Sequence, residues 1–182
     1  MDMLDRVKES LYKNENLTKE IKDSIFELMV IFNNNFKEVD LTNASNRLEK
    51  LKIKKISKFL NSDISLYDNK NNILYFNVNE INKNYDMKHV LMFELLNIIT
   101  ATNYSTGFNE EAKLEALNIG YTEILANYLV GNSGELLLYP DEAVATNLIS
   151  VLVGADNMKK AYFENSPKIL LECFNKLEAY NG

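Results

Sequence analysis

Proline and glycine are scarce in this chain, so little interrupts regular secondary structure. The 182 residues include only 2 Pro and 6 Gly. Over most of the length, apolar residues recur three and four positions apart, which is the spacing of amphipathic helices. The sequence therefore predicts a body that is mainly helical.

Three helices are predicted within residues 1–60. The first spans the apolar positions of residues 4–11, and Thr18 is placed to cap the second. The third is predicted to begin at Thr42 and to continue to Leu60, because apolar residues keep a helical spacing over that stretch while lysines mark a solvated side.

The apolar period changes between Asp63 and Val78. Apolar residues alternate with other residues on both sides of the polar segment 68–72. This alternation is typical of two short strands joined by a tight turn, so a β-hairpin is predicted here.

Helical spacing returns at Met87. Further helices are predicted over residues 87–102, 109–130, 141–153, 156–164 and 167–180. Gly154 is expected to cap the end of one of them, and Pro167 to lie in the first turn of the last. Because no internal repeat or linker is found, residues 1–182 are predicted to form one domain of the mainly helical α+β class.

Charge and composition limit the partners and the compartment. The formal net charge is −6, which argues against a general nucleic-acid binder because phosphate contacts need clustered Lys and Arg. No apolar run approaches the roughly 20 residues that span a bilayer, so no membrane partner is expected. Cys173 is the only cysteine, so no internal disulfide can form and a cytoplasmic location is expected.

The predicted helix over residues 87–102 is apolar around nearly its whole circumference. Such a helix is expected to be buried. Glu94 lies in its middle, and a buried carboxylate is costly unless it is paired, hydrogen-bonded or protonated. Glu94 therefore becomes the first candidate for a functional group.

The segments on either side of Glu94 follow one another in a characteristic order. It consists of the hairpin, the helical segment Phe93-Glu94-Leu95-Leu96-Asn97, the turn Thr106-Gly107-Phe108, the segment 116–123 with Asn118-Ile119-Gly120-Tyr121-Thr122-Glu123, and the later stretches 139–143 and 152–163. In this order and spacing, residues 63–180 resemble the bacterial zinc metallopeptidases with an HExxH helix and a downstream glutamate ligand. The resemblance implies a zincin-like helix pair beside a small hairpin or sheet, flanked by further helices.

The resemblance also implies which positions would hold zinc. In such enzymes two histidines four residues apart bind the metal, and the glutamate after the first histidine activates the metal-bound water. Here the three ligand positions are Phe93, Asn97 and Ile119, and only Glu94 survives, at the position of the catalytic base. Because Phe and Ile have no donor atom and a neutral Asn is a poor zinc ligand, we expect no metal and no other cofactor.

Two further residues are candidates for the same cleft. His89 lies one turn before Phe93, although a lone histidine near a helix start is more often a capping or core group. Glu123 lies one turn after Ile119 and either faces the cleft or hydrogen-bonds a neighbouring helix. The candidate cleft residues are therefore His89, Phe93, Glu94, Asn97, Ile119 and Glu123, with no catalytic residue assigned among them.

Three functions are compatible with these residues. The leading hypothesis is a catalytically inactive metallopeptidase-like protein that keeps the cleft and acts as a peptide-binding, protein-binding or regulatory module. The second is a hydrolase with a relocated or non-zinc site that uses Glu94 with His89 or Glu123. The third is a structural or oligomerisation module in which the cleft is filled by core residues, and the sequence leaves the oligomeric state open.

Overall fold

The computed structural model describes residues 2–57, 64–108, 113–131 and 137–181, and they form a mainly helical α+β fold, as predicted. In chain order the elements of this described part are α1 (Met3–Lys13), α2 (Lys19–Asn35), α3 (Thr42–Lys50), β1 (Lys52–Ile56), β2 (Ser65–Asp68), β3 (Ile73–Asn77), α4 (Val78–Asn84), α5 (Met87–Thr100), α6 (Glu115–Val130), α7 (Pro140–Val153), α8 (Ala155–Phe163) and α9 (Lys168–Asn181). None of the helices in these ranges is long and apolar enough to cross a membrane.

The first two helices follow the sequence prediction. The Thr18 hydroxyl accepts a hydrogen bond from the backbone N–H of Ile21 at 3.4 Å and so caps α2. The inward side of α2 is formed by Ile25, Leu28, Met29 and Phe32, all buried.

The prediction that the third helix continues to Leu60 is wrong in its described part. Helix α3 ends at Lys50, and the backbone turns extended at Leu51, with a ψ of 135°. The buried Asn14 amide donates to the carbonyl oxygens of Leu48 and Leu51 at 2.7 and 2.9 Å, which ties the end of α3 to the end of α1. The next residues form β1, while Phe59 and Leu60 lie outside the described residues.

The sheet contains the predicted hairpin and one additional strand. Strands β2 and β3 pair antiparallel, from Ser65 opposite Phe76 to Asp68 opposite Ile73. The Asp68 carboxylate accepts from two backbone N–H groups of the turn, which stabilises it. Strand β1 pairs parallel with β3, so the order is β1-β3-β2 and β2 lies at an edge of the described sheet.

Helix α5 lies at the centre of the fold. It packs against α2, α3, α6, α8 and β2, and almost every one of its residues is buried. This confirms the expectation from its apolar circumference. Because α5 packs against both β2 and α6, it is placed to line a cleft between those two elements.

The last four helices lie where they are predicted, and apart from the start of α6 their bounds differ from the prediction by at most one residue. Helix α6 begins at Glu115, later than predicted, and the predicted start at Asn109 lies outside the described residues. Gly154 caps α7 with a φ of 86°, as predicted, whereas Pro167 immediately precedes α9. Gly120 lets α6 approach α7 closely, because a Cβ there would lie 2.2 Å from the Glu142 carbonyl oxygen.

Candidate functional site

A cavity of about 230 Å³ lies where β2 faces α5 and the first turns of α6. It is lined by Ser65, Leu66, Tyr67, Asn69, Phe93, Glu94, Asn97, Tyr104, Ser105, Thr106, Glu115, Asn118, Ile119 and Tyr139. The lining therefore combines an edge strand, a buried helix and the turn that follows that helix.

Four of the six candidate cleft residues meet in this cavity. Phe93, Glu94 and Asn97 come from α5, and Ile119 comes from α6. Sequence reasoning missed Ser65 and the aromatic residues from other segments. A serine on an otherwise apolar buried side of a strand is the one local signal that could have indicated Ser65.

Glu94 is 1 % exposed and held from two sides. Its Oε1 accepts a hydrogen bond from the Ser65 hydroxyl at 2.5 Å, and its Oε2 accepts one from the Asn97 amide at 3.0 Å. A carboxylate whose two oxygens both accept hydrogen bonds offsets part of the cost of burying its charge. Asn97 thus serves here as a hydrogen-bond donor that orients Glu94.

The residues at the three implied ligand positions do not fit a zinc ion. Phe93 and Ile119 have no donor atom, and the Asn97 amide is already engaged with Glu94. The Phe93 ring instead packs on Tyr139, with ring centroids 5.4 Å apart. Across the described ranges, no three His, Cys, Asp or Glu side chains lie close enough together to hold a metal ion.

His89 and Glu123 bind each other away from the cavity. His89 Nε2 lies 2.9 Å from Glu123 Oε1, and both residues are buried. The same oxygen accepts a hydrogen bond from the backbone N–H of Leu138 at 3.0 Å. Of the two alternatives for Glu123, the structure has the hydrogen bond to a neighbouring helix, because one turn of α6 carries it past the cavity to the first turn of α5.

The turn after α5 is fixed by polar contacts with α6. The Asn118 side chain accepts from the Phe108 N–H at 3.1 Å and donates to the Thr106 hydroxyl at 3.2 Å. Gly107 has a φ of 52°, and a Cβ there would lie 2.0 Å from Asn118 Oδ1. Only glycine accommodates both this backbone conformation and this close contact with Asn118. The neighbouring Thr106 lies in the lining of the cavity.

Tyr67 lines the cavity and accepts a hydrogen bond from Arg47, which is not among the lining residues. Arg47 Nη1 donates to the Tyr67 hydroxyl at 3.0 Å and to the Asn69 carbonyl at 2.8 Å. Burial raises the pKa of Tyr67, and the Arg47 charge offsets part of that rise. The phenol is therefore neutral at physiological pH, and Tyr67 is one of the residues that line the cavity.

Comparisons with known proteins identified no relative of this chain. A scan against protein-family models, a search of curated proteins and a search of solved structures each found no match to the chain.

Proposed function

We propose that this protein is a catalytically inactive relative of the zinc metallopeptidases that binds a peptide or a protein segment in its cleft. The observation that supports the proposal is the cavity in which Phe93, Asn97 and Ile119 meet beside Glu94. These are the positions at which the resemblance implies zinc ligands and a catalytic base. A scaffold that keeps the cleft and lacks the ligands is suited to binding without hydrolysis.

Strand β2 offers a backbone to pair with a bound peptide. The Asn77 N–H donates to the Ile64 carbonyl at 2.9 Å, so residues 64 and 77 form a hydrogen-bonded pair of the antiparallel ladder. Because such pairs alternate, the backbone groups of Ser65 and Tyr67 are directed away from β3. An extended peptide that adds a strand there lies directly beside the cavity.

The geometry favours this function over the two alternatives. A structural module requires a filled cleft, whereas about 230 Å³ remains open beside Glu94. A relocated hydrolytic site requires His89 or Glu123 near Glu94, whereas these two residues bind each other outside the cavity lining.

Peptide selection tests the binding function. A phage-displayed library of random linear peptides is panned on the full chain, and enriched peptides are measured by fluorescence anisotropy. We expect them to bind the wild type and to lose affinity for Ile119→Trp, because the indole fills the cavity. Leu148→Trp is the matched control, since Leu148 is exposed on α7 and does not line the cavity.

Two results would contradict the binding function. One is the enrichment of no peptide, and the other is equal binding to wild type and Ile119→Trp when circular dichroism shows both to be folded.

Metal content is a separate prediction. Elemental analysis of untagged protein purified without chelator is expected to find zinc far below one ion per chain, because Phe93 and Ile119 have no donor atoms. Glu94→Gln is expected to leave that level unchanged, and no peptide-hydrolysing activity is expected. Stoichiometric zinc that is lost in Glu94→Gln or His89→Ala would instead support the hydrolase alternative.

A further inference from the structure

One side of helix α7 is both apolar and exposed. Four large apolar residues lie on it, namely Val144, Leu148, Val151 and Leu152. Their exposed fractions range from 58 to 76 %. The opposite side, which includes Ala143, Thr146 and Val153, is buried, and α7 packs mainly against α6. Because positions three, four and seven apart share one side of a helix, the four exposed residues form a continuous stripe, here called the α7 stripe.

The α7 stripe has no charged residue near it on the helix. Residues 143–155 contain no Asp, Glu, Lys, Arg or His. Helix α2 differs in this respect, because its exposed side includes Glu20, Asp23 and Glu27. Contiguous apolar surface marks interaction sites, and the centre of a protein–protein interface is depleted of charge. The α7 stripe therefore has the composition of an interface centre.

An apolar groove lies beside the α7 stripe. It is formed between α7 and the start of α6 and has a volume of about 510 Å³. Its apolar lining residues are Leu114, Ala116, Leu117, Ala145 and Ile149. Its charged lining residues are Asp141 and Glu142 in the first turn of α7 and Lys113 before α6. Ala145 and Leu152 are seven positions apart on α7, so the groove adjoins the stripe.

The stripe and the groove are complementary between two copies of the chain. The stripe projects from α7, and the groove is concave. A two-fold axis perpendicular to α7 would place each stripe beside the groove of the other copy, with the two α7 helices antiparallel. Leu148, at the centre of the stripe, would lie near that axis.

Charge favours a second copy over a membrane as the occupant. Helices that lie on membranes are rich in Lys and Arg on their polar side, whereas α7 has neither and begins with Asp141 and Glu142. Copies of a chain with a net charge of −6 repel each other, so they associate best through a surface without carboxylates. The uncharged residues 143–155 provide such a surface.

The size of this surface agrees with reversible association. Helix α7 has 14 residues and is about 21 Å long. Together with the start of α6, the surface is about 20 Å wide, or two helix diameters. Its projection is therefore roughly 400 Å² per copy. Because accessible area exceeds projected area, two copies would bury on the order of 1,000 Å², which is the lower limit for a specific interface.

We infer that the α7 stripe and the adjoining groove form the interface of a reversible, two-fold symmetric homodimer. The groove and the cavity beside Glu94 share no lining residue. The inference is therefore independent of the proposed peptide-binding function.

Sedimentation velocity of the full chain tests the inference. From low micromolar to submillimolar concentrations, the mass is expected to rise from 20.9 kDa towards twice that value. Leu148→Glu is expected to weaken dimerisation at least about tenfold, because the two-fold axis brings the two introduced carboxylates together in an apolar interface. Leu66→Glu is the matched control, since Leu66 is an exposed leucine on β2 that does not line the groove.

Three results would overturn the inference. The first is a monomer at every concentration, including one that binds to anionic lipid vesicles. The second is dimerisation of a folded Leu148→Glu variant with wild-type affinity. The third is an assembly larger than a dimer.

Cross-linking tests the position of the two-fold axis. In a Cys173→Ser background, which removes the only native cysteine, Leu148→Cys is treated with a short bismaleimide. We expect covalent dimers for this variant and none for Leu66→Cys at the same concentration. Equal cross-linking of the two variants would contradict an interface centred on α7.

Discussion

Replacing Glu123 with alanine is expected to lower the free energy of unfolding by about 3–5 kcal/mol, the range found when one partner of a buried ionisable pair is removed. The Glu123 carboxylate is fully buried, and its Oε1 is shared by His89 and by the backbone N–H of Leu138. Its loss leaves two polar groups without this acceptor and opens a void between α5 and α6. Urea unfolding followed by far-UV circular dichroism measures the change.

Glu115→Ala is the matched control for this prediction. It removes a glutamate from the same helix at an exposed position, and we expect a change within about 0.5 kcal/mol. The double variant His89→Leu with Glu123→Leu is expected to recover much of the loss, because an apolar pair leaves no polar group of either side chain unsatisfied. A cost for Glu123→Ala as small as that for Glu115→Ala would show that the pair contributes little to stability.

Tyr162→Ala is expected to destabilise the fold by about 3–5 kcal/mol, as is usual for deleting a buried aromatic ring. The side chain is fully buried, and its ring centroid lies 5.1–5.2 Å from those of Tyr121, Phe108 and Phe163. Its hydroxyl forms a hydrogen bond with Thr122 at 2.7 Å. Burial raises the pKa of Tyr162, so the hydroxyl stays protonated and keeps this bond. The ring therefore joins α8 to α6 by both packing and hydrogen bonding.

Two further variants separate these contributions in guanidinium chloride titrations. Tyr162→Phe keeps the ring and loses the hydrogen bond, so a cost of about 1 kcal/mol is expected. Tyr104→Ala removes an equally large ring from a position that is 91 % exposed, and a change within about 0.5 kcal/mol is expected. If Tyr162→Ala unfolds at the same denaturant concentration as Tyr104→Ala, the aromatic cluster does not stabilise the fold.

Both stability predictions concern residues that do not line the cavity. The cavity depends on the positions of α5 and α6, which the His89–Glu123 contact and the Tyr162–Thr122 contact hold in place. Changes at these contacts are therefore expected to weaken ligand binding through loss of folded protein. Changes at Glu94 or Ile119 are expected to alter binding in a protein that remains folded.

Features that depend on sequence neighbours were predictable from the sequence. The apolar circumference of α5 indicated that it is buried and that Glu94 is buried with it, as observed. Thr18 caps α2 and Gly154 caps α7, because capping involves only groups within one helical turn.

Other features were decided by contacts between residues far apart in the sequence. The stretch after α3 has helical apolar spacing, but residues 52–56 form a strand that pairs with β3. The helix ends before this strand, where the Asn14 amide donates hydrogen bonds to the carbonyl oxygens of Leu48 and Leu51. Glu123 has the correct spacing to face the cleft, but its partner is His89. Strand pairing and the choice of partner for a buried polar group depend on which distant backbone and side-chain groups remain unsatisfied, and this is settled only when the chain is packed.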